Sequence, residues 1–92
     1  MLDSLTHAHF TPLLGEAFDA EGAELKLTEV EPLGSTSISQ RQAFSLVFHG
    51  PRAPLLEQRI YGLEHASLGR LEIFLVPIGL DAQGQRYQAI FS

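Results

Sequence analysis

From residue 16 onward the chain alternates apolar and polar side chains at period two, which is the signature of β-strands buried on one face. The stretch 43–49 is the clearest case. Phe44, Leu46 and Phe48 fall on one face, with Ser45, Val47 and His49 on the other. Residues 16–20 form a short strand candidate around Phe18, and Glu21-Gly22 suits a tight turn. Residues 24–30 place Leu25 and Leu27 inward and Glu24, Lys26 and Thr28 outward. The alternation slips at Glu29 and Val30, which predicts a bulge or a bend. Pro32 and Gly34 stop that strand, and the small polar residues of 35–42, with Ile38 as their one large apolar side chain, read as a mobile loop.

Gly50, Pro51 and Pro54 exclude regular structure over 50–54. Residues 58–65 follow as a strand with Tyr61 and Leu63 on one face. Ala66-Ser67-Leu68-Gly69 reads as a hairpin connection with Gly69 at positive φ. Residues 71–76 are the most apolar strand. Leu71, Ile73 and Leu75 occupy one face, Phe74 and Val76 the other. That pattern predicts a central strand covered on both faces, by the N-terminal segment or by a second subunit. Pro77-Ile78-Gly79 and residues 81–84 are expected to form the next turn region. Residues 86–91 close the chain, with Tyr87, Ala89 and Phe91 on one face and Ile90 on the other.

Only the N-terminus has helical spacing. Leu5, Phe10, Leu13 and Leu14 share a face, Ser4 or Thr6 supplies an N-cap, and Gly15 suits a left-handed stop. Pro12 limits the helix to one or two turns. Six strand candidates with short connections and no crossover helices predict a mainly β fold. The expected form is a small antiparallel barrel or sandwich with a short N-terminal helix. Residues 1–92 form one domain.

Composition narrows the function classes. The chain has no cysteine, which excludes disulfides, thiolate metal sites and a thiol nucleophile. With no leader pattern and no long apolar run, a cytoplasmic protein without membrane contact is expected. The net charge is −5, and the acidic residues crowd into the first third. The arginines are spaced singly and form no basic stripe, so no nucleic-acid partner is expected.

The four histidines, His7, His9, His49 and His65, have no metal-ligand spacing. Ser4, Ser35, Ser37, Ser39, Ser45, Ser67 and Ser92 include no nucleophile elbow. The sequence therefore nominates no catalytic, cofactor-binding or metal residue, and an enzyme is not expected. Gly62 stands out because it lies inside a strand, where it marks a bulge or a neighbour packed close over the backbone.

Three runs are distinctive: Phe44-Ser45-Leu46-Val47-Phe48-His49-Gly50-Pro51, then Leu56-Glu57-Gln58-Arg59-Ile60-Tyr61-Gly62-Leu63-Glu64-His65, then Leu68-Gly69-Arg70-Leu71-Glu72-Ile73-Phe74-Leu75-Val76-Pro77-Ile78-Gly79. With the opening around Leu5 to Phe10 and Leu14-Gly15, and the ending Arg86 to Phe91, the chain resembles a family of short bacterial proteins of unassigned function. Some members of that family are encoded near phage-tail-like or collagen-like tail proteins. The resemblance implies a structural or assembly role and carries no catalytic residues. The expected function is a non-enzymatic protein–protein interaction or structural accessory domain, with a protein partner or a homo-oligomer. The alternative is a small barrel holding an apolar or aromatic ligand. The large residues Phe44, Phe48, Tyr61, Leu63, Phe74 and Phe91 favour a filled interior over that alternative.

Overall fold

The computed structural model describes residues 6–33 and 43–91. Helix α1 (His7–Phe10) and a 3-10 turn (Thr11–Leu13) open the chain. Strands β1 (Ala17–Ala20), β2 (Ala23–Pro32), β3 (Phe44–Gly50), β4 (Arg59–His65), β5 (Gly69–Asp81) and β6 (Gly84–Phe91) follow. Every pairing is antiparallel, and the strands close into a barrel in the order β1-β2-β3-β6-β5-β4. The choice between barrel and sandwich thus falls to the barrel.

The inward residues are those the alternation assigns. Phe18, Leu25, Leu27, Phe44, Leu46, Phe48, Tyr61, Leu63, Ile73, Leu75, Tyr87, Ala89 and Phe91 are buried in one core. The interior is filled by aromatic rings: Phe44 stacks on Phe91 with centroids 4.6 Å apart, and Phe18 meets Phe48 edge-on at 5.4 Å. The slip in β2 is a bulge between Leu27 and Glu29, as expected. The Glu21-Gly22 turn has both residues at positive φ, 54° and 101°. Gly69 has φ 72° at the β4–β5 hairpin.

Thr6 is the N-cap of α1, its N–H donating to His9 Nδ1 at 3.0 Å. Gly15 follows the turn at φ 87°. Phe10 and Leu13 point into the barrel, where Phe10 packs on Phe44 and Phe91. The helix is therefore a plug for one end of the barrel and not a cover for its outer wall. Leu14, expected on the same apolar face, is exposed because the chain has left the helix by then.

Two expectations need correction. Residues 77–79 are not a turn. They lie within β5, where the register shifts between Pro77 and Gly79, and the bulge tolerates a proline that a regular ladder would not. The second concerns the two-sided cover over residues 71–76. Phe74 is 49% exposed and Val76 half-buried, so no segment of the described chain covers the outer face of β5. The strand buried on both faces is β3, whose outward Ser45 and Val47 are buried too. β3 is flanked along its length by β2 and β6, and Val47 sits between Glu29 and Gln88, longer side chains that shade it. The expected loop over 35–42 lies outside the described residues.

Candidate functional site

β5 is too long to keep one pair of neighbours. Its first half pairs with β4 from Gly69 to Leu75, and its second half pairs with β6 from Val76 to Asp81. The β5–β6 ladder stops at Val76 and Gln88, although β6 runs on to Phe91. Over that splayed seam the outward side chains are Ile60, Phe74 and Ile90, 56%, 49% and 61% exposed. Ile60 and Phe74 are register partners on adjacent strands. The three line a cleft of about 240 Å³ whose floor is the core residues Ile73, Ala89 and Phe91 and whose one charged lining residue is Glu72. An apolar row across three strands is more than the scattered exposed hydrophobics of an ordinary surface.

A second seam ends early but is closed. β1 pairs with β4 only at Asp19–Glu64 and Ala20–Leu63. Beyond that point Glu21 takes over: its Oε2 accepts from the Gly62 N–H at 2.9 Å, and its Oε1 accepts from Arg59 Nη2 at 2.9 Å. Arg59 Nη1 donates to the Ile60 carbonyl at 2.9 Å, and its guanidinium caps the Tyr61 ring at 3.9 Å. The Arg59 guanidinium, then the Gly62 N–H, hold the Glu21 carboxyl below its ordinary value. Gly62 has no bulge; of the two readings of its position, close cover is right, and the cover is the Arg70 guanidinium.

The histidines are drawn into polar ties that the sequence did not suggest. Thr28 Oγ1 donates to the Val47 carbonyl at 3.1 Å and lies 2.8 Å from His49 Nδ1. His49 Nε2 lies 2.9 Å from Asp81 Oδ2. A hydroxyl, an imidazole and a carboxylate in line are the parts from which an acyl-transfer triad is built. Here the hydroxyl is turned to a main-chain carbonyl, and the line ties the β2 bulge to β3 and to the β5–β6 hairpin. That tie was invisible in the sequence because only strand pairing brings residues 28, 49 and 81 together. The hydrogen bond from His49 holds the Asp81 carboxyl below its ordinary value.

His65 lies 2.7 Å from Glu16 Oε1 through Nε2 and accepts the Ser67 N–H at Nδ1. Among the described residues no group of three or more His, Asp or Glu side chains is placed to hold a metal ion. Nor is any described helix long and apolar enough to cross a membrane. The acidic bias of the first third becomes a row across the outer face. Asp19 on β1 is paired with Glu24 on one side and Glu64 on the other.

No curated protein matches the chain, and no solved structure matches it. A family model described as a domain of unknown function, DUF6916, matches residues 5–91, and so covers nearly all of the sequence. The chain belongs to the DUF6916 family.

Proposed function

We propose that this barrel is a non-enzymatic domain that acts by protein–protein contact through the outer face of β4, β5 and β6. The observation that carries the reading is the row Ile60, Phe74 and Ile90, half-exposed across three neighbouring strands. Keeping such a row in water costs solubility, and a partner that covers it removes the cost. The filled interior weighs against the alternative of a small apolar ligand inside the barrel, since Phe10, Phe18, Phe44, Phe48 and Tyr87 occupy the space it would need. A place in a phage-tail-like assembly rests on the family resemblance alone.

The test is site-specific photo-crosslinking in the native host, with a benzophenone side chain at position 60, 74 or 90 and a control at the exposed Glu29 on β2. The expected result is one crosslinked band, shared by the three face positions and absent at 29. Equal crosslinking at 29 and 74 would overturn the reading.

A further inference from the structure

The two short seams of the barrel are treated differently. Where β1 runs out beside β4, Glu21 and Arg59 supply the carboxylate and the guanidinium that take the Gly62 N–H and the Ile60 carbonyl. Proteins commonly blunt an open strand edge in this way, with charged side chains laid over it. Where β6 runs past the end of its ladder with β5, the described residues supply no comparable clasp. Among the described residues no side chain bonds to the backbone of 71–75 or 89–91, and no residue of β5 before Val76 is paired with β6. The unpaired stretch is bordered by Phe74 and Ile90, and the cleft between them reaches the core residues Ile73, Ala89 and Phe91.

Resting on the protein-contact reading above, we infer that the partner enters this seam as an extended strand. Its backbone pairs with β5 ahead of Val76 or with β6 after Gln88, and an apolar side chain occupies the cleft. Strand addition suits the site because both lips are already in strand geometry, so only the incoming segment must be ordered. Side chains of an added strand alternate between the two faces, so one apolar residue in the cleft leaves its neighbours for the rim. The charge at the rim is Glu72, whose side chain is 64% exposed and shared with Arg70 at 3.3 Å, so the bias toward a basic partner comes chiefly from the chain's net charge of −5. The fitting partner segment is therefore one of alternating aliphatic and basic residues.

The experiment uses the full chain, ¹⁵N-labelled, and three octapeptides. One alternates valine with lysine, one alternates valine with glutamate, and one is the lysine peptide with a central valine replaced by proline. With the lysine peptide, amide shifts and slowed amide exchange are expected at 71–75 and 89–91. Binding should weaken about tenfold or more with the proline peptide, which lacks a backbone donor and cannot continue a ladder. It should weaken with the glutamate peptide and be lost in Ile90→Lys and in Phe74→Ser.

Shifts spread over the acidic face of β1 and β2 would mean electrostatic adsorption and overturn the inference. So would equal binding of the proline peptide, no shifts at millimolar peptide, or a free protein that is a dimer with these amides already protected. If photo-crosslinks form at 74 and 90 while the peptides leave 71–75 and 89–91 unmoved, strand addition fails and the protein-contact reading stands. If the crosslinks fail as well, both fail.

Discussion

The Arg70 guanidinium lies over the backbone of Gly62, so close that a Cβ on residue 62 would overlap its Cζ and Nη2. Arg70 also reaches Glu64 at 3.7 Å and Glu72 at 3.3 Å, so the missing side chain of Gly62 makes room for an ion network along the outer wall. Arg70 is a long, exposed side chain and can swing away. Gly62→Ala is therefore expected to change stability by less than about 0.5 kcal/mol, since relief of glycine's entropy cost in a strand offsets the lost contacts. At Gly50 the same change meets Leu25 Cδ2 at 2.6 Å, a fully buried atom, and should cost roughly 1–3 kcal/mol. At Gly84, whose φ is 128°, it meets the main-chain carbonyl of Gly50 and adds left-handed backbone strain as well, and should cost more still. Urea denaturation of the three variants checks the order.

Gly69 is a different case. Its φ is 72°, and an added Cβ would touch nothing within 4 Å. The cost of Gly69→Ala is then backbone strain alone, about 1 kcal/mol. Gly69→Asn should lose less, because asparagine tolerates the left-handed region. Equal losses for both, measured by denaturation, would point to a role for the space and not for the dihedral.

Asp19 faces a carboxylate on each flanking strand, Glu24 and Glu64. Like charges directly opposite destabilise a sheet. Asp19→Asn is expected to raise stability by about 0.3–0.5 kcal/mol at low salt, with the gain shrinking as salt screens the wild-type repulsion. Thermal melts at two ionic strengths decide the matter; a loss of stability at low salt is the contrary result.

Glu21 and Asp81 are expected to contribute to the loss of stability in acid. Both carboxyls are held below their ordinary values of 4.5 and 3.8, Glu21 chiefly by its hydrogen bond from Arg59 and Asp81 by that from His49. A folded-state value below the unfolded one stabilises fully above the unfolded value, and the gain disappears as pH falls through the folded value. Glu21→Gln should be less stable than wild type at neutral pH, and the gap should close below the ordinary carboxylate range. Denaturation curves across that range test this; a gap that widens in acid would reverse the assignment.

Phe74 and Leu75 are neighbours on opposite faces of β5. Leu75→Ala empties a fully buried site and should cost about 2–5 kcal/mol. Phe74→Glu acts on a half-exposed side chain and should cost no more than about 1 kcal/mol while raising solubility. A Phe74→Glu protein that fails to fold would show that this face belongs to the core.

Residue type and period two were enough to place a strand in each of the six segments, the inward face of each, the β2 bulge, the Glu21-Gly22 and Gly69 turns and the short N-terminal helix. They did not place the run of β5 on through Pro77 to Asp81, which the proline and glycine there disguised as a turn. The features they did place are local matters, decided by which side of a pleated strand is apolar and by which residues accept positive φ. Closure into a barrel was not legible in the sequence, because it depends on how long each strand stays beside its neighbour. The sequence pattern of 71–76 is that of a strand covered on both sides, yet in the fold β5 divides its pairing between β4 and β6 and leaves Phe74 outside. The line from Thr28 through His49 to Asp81 and the clasp of Glu21 on Arg59 and Gly62 join residues far apart in the chain. Only the antiparallel register brings them within hydrogen-bonding distance, and that register is a property of the whole closed sheet.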